Sequence, residues 1–220
     1  MRTQSTYLSA PEQERIHRDS LRILSEVGVR FRSVRARKLL SGHGARVDDG
    51  REFVWIGPEM VEQALKTAPK SFTLGARQAA FDFALPSPFT GYTLDGAATF
   101  AVDFETNERR YAVTKDLIAS LRIFEELPLG TVVWPNVVLD DIPGHSSDVR
   151  TALLSFMYSS KHIQHEVHHP AHVPYLIEGL AAILGGEAAI RQRKIFSVCY
   201  CTIPPLTHDL DMCDACLELA

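Results

Sequence analysis

No apolar run in the sequence reaches the roughly 20 residues that span a bilayer. The N-terminal stretch MRTQSTYLSAPEQE lacks the apolar centre of a secretory signal. Both absences point to a cytoplasmic protein that does not enter membranes. Lysine and arginine form no long block, and the net charge of -4 is mild. No basic face for nucleic acid is expected. The short clusters Arg30–Arg37 and Arg191–Lys194 read as solvated helix faces or loops. Cysteine is scarce and late. Its four copies are Cys199, Cys201, Cys213 and Cys216, not the spread of a disulfide framework. There is no glycine-rich phosphate loop, since Gly185–Gly186 follows a helix-like run and so reads as a C-cap. No G-x-S-x-G elbow occurs, and no carboxylate pair stands at a convincing catalytic spacing.

What is present is a repeat of close to 30 residues. Strand-like runs at Thr131–Val138, His162–Val167 and Ile195–Thr202 each precede a helix-like run, at Asp148–Ser159, Val173–Leu184 and Asp209–Leu219. These runs are apolar on both faces, which suits adjacent parallel strands covered by helices. The N-terminal part differs. Ser9 and Glu12 make a capping box for a helix to about Val27, with Ile16, Ser20, Ile23, Leu24 and Val27 as its inner stripe. Ser33 caps a second helix and Pro58 opens a third, striped by Met60, Val61, Ala64 and Leu65. Residues 1–90 therefore read as a helical lobe with short strands. Residues 91–220 read as a β-hairpin over Gly91–Val113, then a helix capped by Thr114 and lined by Leu117, Leu121, Phe124 and Leu127, then the βα units.

In parallel α/β folds, ligands bind beyond the C-terminal ends of the strands. The exits here carry Trp134 and Asn136, then His165 and Glu166, then Thr202–Pro205 with His208, while Cys199 and Cys201 lie two apart within the third strand run. An aromatic face with an amide suits a small cation or amide. Asp95 and Asp103 come from the hairpin, and either caps a turn or reaches over the mouth. The histidines of KHIQHEVHHPAH do not form HExxH on a helix, and H-x-x-H on a strand divides its rings between two faces. No metal is expected from them. Four thiolates make a metal site only if all converge. The apolar neighbours Val198, Tyr200, Leu217 and Leu219 favour buried thiols. His17 and His43 read as surface or cap residues.

Ser9-x-x-Glu12, IHRDSLRILSEVGVRF at 16–31, VEQALKTAPKSFTLGAR at 61–77, DGAATFAVDFETNERR at 95–110, TKD at 114–116 and IPPLTHD at 203–209 carry a resemblance. Together they resemble the trimethylamine methyltransferase (MttB-like) family, over nearly the whole chain. The resemblance implies a TIM (β/α)8 barrel, here an incomplete barrel preceded by the helical lobe. It implies methyl transfer from a methylated amine (trimethylamine, glycine betaine or another quaternary amine) to the cobalt of a corrinoid (cobalamin) carried by a partner protein. No cofactor is then bound tightly to this chain. Substrate contact is expected from Trp134, Asn136, His165, Glu166 and Asp95, none of them matched to a family catalytic residue. Family members are about twice this length, and a barrel needs about 250 residues. The 220 residues alone are therefore expected to aggregate or pair with another copy, and to show no turnover. The alternative is a non-catalytic truncated barrel that binds a small molecule or a protein.

Overall fold

The computed structural model describes residues 7–220. Residues 1–6, the start of the stretch without an apolar centre, lie outside the described residues. The chain divides into two units. One runs through Ala68 and includes Thr202–Asp214. The other takes Pro69–Cys201 and Ala215–Ala220.

In the first unit, α1 (Ala10–Arg22) starts where the sequence places it. The Ser9 amide and hydroxyl both donate to Glu12 Oε2 at 2.7 Å. The helix widens over residues 23–27, and Gly28 stops it with φ 82°. A Cβ on Gly28 would lie 2.8 Å from Trp55 Nε1, so both conformation and space demand glycine. Then follow β1 (Val29–Phe31), α2 (Val34–Gly42), β2 (Arg46–Asp48), β3 (Phe53–Trp55) and α3 (Pro58–Thr67). β3 pairs antiparallel with both β1 and β2. Ser33 caps α2 as expected, accepting from the Ala36 amide at 3.0 Å. Arg37 is buried, and its guanidinium donates to Asp49 and to the carbonyls of Phe31 and Arg32.

The helix stripes expected to be buried here are a correction. Ile16, Ile23 and Val27 are exposed, as is Leu65 on α3. The half-buried side of α1 and its wider turn is His17, Leu21, Leu24 and Ser25. Leu24 is fixed there because its carbonyl accepts from the Ile56 amide, and His17 because its Nε2 meets Glu62 at 2.8 Å. Leu24 on the first stripe and Met60 and Val61 on the α3 stripe are half-buried as expected, so spacing alone gave the period and only part of the side.

The second unit opens with an antiparallel ribbon, β4 (Phe72–Leu74) and β5 (Phe83–Leu85). Next come β6 (Tyr92–Thr93), β7 (Phe100–Val102), β8 (Arg109–Tyr111), α4 (Thr114–Glu125), β9 (Gly130–Val133), α5 (Ser147–Tyr158), β10 (His162–His165), α6 (Val173–Leu184), α7 (Glu187–Arg193) and β11 (Phe196–Val198). The chain then supplies β12 (Thr207–His208), which pairs parallel with β1 in the first unit. It ends in α8 (Leu210–Leu219). No single helix among the described residues is long and apolar enough to cross a membrane.

β9, β10 and β11 are adjacent, parallel and in the expected order. Each is shorter than its apolar run. Beyond Val133, Pro135 has no amide to donate, and the carbonyls of Pro135 and Asn136 accept from Ala97 and Ala98 instead. The expected hairpin is corrected in part. β7 and β8 do form one, but Tyr92–Thr93 joins β9 in parallel as a fourth strand, giving the order β11-β10-β9-β6.

Helices α4, α5 and α6 pack side by side, α4 against β9 and α5 against β10. Leu117, Leu121, Val133, Phe156, Ile163, Leu176 and Ile195 form the buried core of this layer. Each such apolar side chain contributes about 1.5–3 kcal/mol on burial. The odd positions of β10 face this core. Its even positions, His162 and Gln164, face the other side and bond to Ser197. α4 is tied at both ends. Asp116 accepts from the Val113 amide, and Arg110 donates two bonds to its carboxylate. At the far end the buried Lys161 ammonium donates to the carbonyls of Phe124 and Leu127 at 2.6 and 2.8 Å. α6 stops at Gly185, whose φ of 86° confirms the expected C-cap.

Candidate functional site

The chain leaves β9, β10 and β11 at one edge of the parallel sheet, with Trp134 and Asn136 just past β9 and His165 and Glu166 at the end of β10. β10 and β11 pair in the register Gln164↔Ser197. Successive residues alternate faces, so the polar face continues beyond the strands as Glu166 on one exit and Cys199 and Cys201 on the other. The ladder persists past the last strand residue, since the Cys199 amide donates to the His165 carbonyl at 3.0 Å.

Glu166 is the hub. His168 Nε2 meets Glu166 Oε2 at 2.8 Å, and Cys201 Sγ donates to Oε1 at 3.1 Å. Burial pushes the Glu166 carboxyl up, but the bonds from His168 and Cys201 outweigh it and the net shift is down. The same Glu166 bond, with burial, pushes the Cys201 thiol up to about 12. Glu166, Cys199 and Cys201 present their ligand atoms within 4.8 Å of one another.

His165 points to the other face. Burial pushes it down to about 4, and its Nδ1 is buried without a hydrogen-bond partner. It is therefore neutral at physiological pH. Residues 165–169 spell H-E-x-x-H, yet they are not helical, so their rings share no helix face.

Asn136 donates from Nδ2 to Ser120 Oγ at 3.1 Å, and its Oδ1 is buried and unpartnered. Trp134 is half-buried. The chain at Gly96 passes directly beside its ring, where a Cβ would lie 2.4 Å from Cε2. Asp95 is exposed beside it and caps its own turn by accepting from the Gly96 amide. Asp103 accepts from the amides of Glu105 and Thr106 in the β7–β8 turn. That is the turn-capping alternative.

The expectation of buried thiols is corrected at this edge. Cys201 is exposed and Cys199 half-buried, because both lie past the end of β11. Cys213 is buried as expected, and Cys216 is half-buried on α8. One supporting residue, Asp148, escaped the sequence reading, and so did the role of His162. Asp148 is almost fully buried and accepts from the His168 and Val149 amides and from His172 Nδ1 at 2.7 Å. His162 donates from Nδ1 to the Gly75 carbonyl, which fixes Nε2 as the acceptor of the Ser197 hydroxyl. The pairing of His162 with Gly75 has no local signal, because the partners lie far apart in sequence.

Over 191 residues the chain is 29% identical to a protein named trimethylamine methyltransferase MttB from Desulfitobacterium hafniense (strain DSM 10664 / DCB-2), covering 87% of this chain and 38% of that protein. It is 25% identical to a glycine betaine methyltransferase of Desulfitobacterium hafniense (strain Y51), over 97% of this chain and 44% of the relative. A proline betaine:corrinoid methyltransferase of Eubacterium limosum is 32% identical over 54% of this chain and 24% of its own length. The chain thus spans less than half the length of these curated relatives. Residues 2–220 match the family model described as trimethylamine methyltransferase (MTTB), and the chain belongs to that family.

Proposed function

We propose that this chain is part of an enzyme that moves a methyl group from a methylated amine to the cobalt of a separate corrinoid protein. The observation that carries the reading is the family match across residues 2–220. The relatives' names include trimethylamine, glycine betaine and proline betaine, which supports a tertiary or quaternary amine as substrate. The four parallel strands with outer helices are what an incomplete TIM barrel beside an N-terminal lobe would contain. Activity, substrate and partner are proposed for the whole protein.

The corrinoid, brought by its own protein, supplies the nucleophilic cobalt. An indole, an amide, an imidazole and carboxylates suit a small cationic amine and not a corrin ring, so the chain's own part concerns the amine. Trp134 offers an aromatic face to the cationic nitrogen, a contact worth about 2 kcal/mol when water is excluded. Asn136 Oδ1 is a buried acceptor without a partner, ready for a polar group on the ligand, whereas His165 Nδ1 faces the helix-covered side and would act on the exit from behind. Asp95 and Glu166 set a negative field. The nitrogen is cationic before transfer and neutral after it. A grip that depends on full charge would hold the substrate more tightly than the transition state. Glu166, already engaged by His168 and Cys201, pulls less than a free carboxylate would.

The test mixes the full-length protein with reduced corrinoid protein and candidate amines, and follows the corrin absorption. A methyl-dependent change with trimethylamine or a betaine is expected. No change with any tertiary or quaternary amine would overturn the reading and leave a binding module.

A further inference from the structure

We propose that Glu166, Cys199 and Cys201 hold a thiophilic divalent cation, of which zinc fits best, at the exits of β10 and β11. The metal site does not rest on the methyl-transfer reading, but it takes Glu166 from the role given to it there. The ligand atoms lie within 4.8 Å of one another. Tetrahedral zinc with sulfur at about 2.3 Å and oxygen at about 2.1 Å needs ligand atoms about 3.6–3.8 Å apart. The Glu166–Cys201 pair is already inside that at 3.1 Å. Closing the remaining gap takes small side-chain rotations at an exposed edge.

The placement follows from the sheet. The register Gln164↔Ser197 carries Glu166 and the two cysteines onto one face two residues later. The C-x-C spacing keeps both sulfurs on that face. His168 grips Glu166 Oε2 at 2.8 Å and leaves Oε1 turned to the thiols. A histidine behind a ligating carboxylate is the outer-sphere support that metal sites use. In the metal-free state Cys201 shares its proton with Glu166. On binding, the cation takes the place of the two thiol protons, which pass to solvent.

Two sulfurs and one carboxylate select zinc over magnesium or calcium, which prefer oxygen alone. Three protein ligands leave a fourth position for water or an oxygen donor on a ligand. With the cation in place Glu166 serves the metal, and the amine is left to Trp134 and Asn136. A four-thiolate centre is not required. Only two of the four cysteines belong to the group.

The test is a zinc titration of the chelator-stripped full chain, with a chromophoric chelator as competitor, followed by cobalt(II) substitution. One zinc per chain is expected, and the cobalt form should show a thiolate charge-transfer band. Cys199→Ser, Cys201→Ser and Glu166→Gln should each weaken binding by about 100-fold or more, with far-ultraviolet circular dichroism unchanged. Cys213→Ser and Cys216→Ser should bind as the parent does. Failure of the parent chain to compete for zinc would overturn the proposal. So would equal losses in the Cys213 and Cys216 variants.

Discussion

The ring of Trp134 occupies the space where a side chain on residue 96 would begin. A Cβ there would lie 2.4 Å from Cε2 and 2.7 Å from Cδ2. The chain before β7 is thus pressed against the exit of β9, and the indole is held between them.

Gly96→Ala should move that ring. In a Trp55→Phe background, Trp134 is the one remaining tryptophan of the two. Its emission maximum should shift on the Gly96 change, and quenching by a quaternary amine should weaken several-fold. An unchanged emission spectrum would mean that the ring has room that the geometry denies it.

A stronger effect is expected at Gly75. A Cβ there would lie 1.7 Å from the Arg193 carbonyl oxygen, a backbone atom that cannot swing aside. The Gly75 carbonyl also receives the His162 Nδ1 proton at 2.7 Å. Gly75→Ala should lower stability by about 3 kcal/mol, read as a drop in the urea midpoint. A midpoint equal to the parent's would refute the close approach of Gly75 to Arg193.

Acid should weaken α4 in a defined window. Arg110 beside Asp116, with the Val113 amide, holds the Asp116 carboxyl down at about 2, against about 3.9 in an unfolded chain. A depressed carboxylate contributes stability that is complete above the unfolded value and is lost as pH falls through the folded one. The loss should therefore run from about pH 4 to about pH 2 and amount to about 1–2 kcal/mol, allowing for solvent at the pair. Asp116→Asn should be less stable than the parent at pH 7, and should flatten that part of the stability–pH curve. A parallel curve would assign the window to other carboxylates.

Asp148 is the last of the four. Its side chain is 2% exposed and accepts from two amides and from His172. Asp148→Ala leaves buried donors unmatched at the start of α5 and behind His168. A loss of about 3 kcal/mol is expected. Amide exchange at His168 should also rise while the protein remains folded. Protection at His168 equal to the parent's would show that Asp148 does not hold that loop.

The legible parts were those with a local cause. The period of the βα units, the caps at Ser9 and Ser33 and the stop at Gly185 all arise within one turn or one strand, and they stand. Val173–Leu184 is found with the bounds its pattern implied. The illegible parts depend on distant partners. Tyr92–Thr93 carries no signal that it will lie beside β9. The exposed side of α1 is set by where Ile56 and Glu62 dock, which its own period cannot tell. At the candidate site, Trp134, Asn136, His165 and Glu166 were expected at strand exits from strand order alone, and Asp95 from the hairpin. The joining of Glu166 to Cys201 needed the register between two strands, and hydrophobic pattern does not state register between buried parallel strands.

Phe31 stacks on His208 with ring centroids 4.1 Å apart and planes 7° from parallel, at the end of the β1–β12 pair. Those two residues leave the ribosome far apart in time. At about 5–20 residues per second, the roughly 175 positions between them take about 10–35 s to make. Until then β1 has a bare edge on one side, although everything else in its sheet has been translated. The middle of the chain holds its whole four-stranded sheet before that moment. The β12 edge of β1 is therefore closed only after the four-stranded sheet of the middle of the chain has been made.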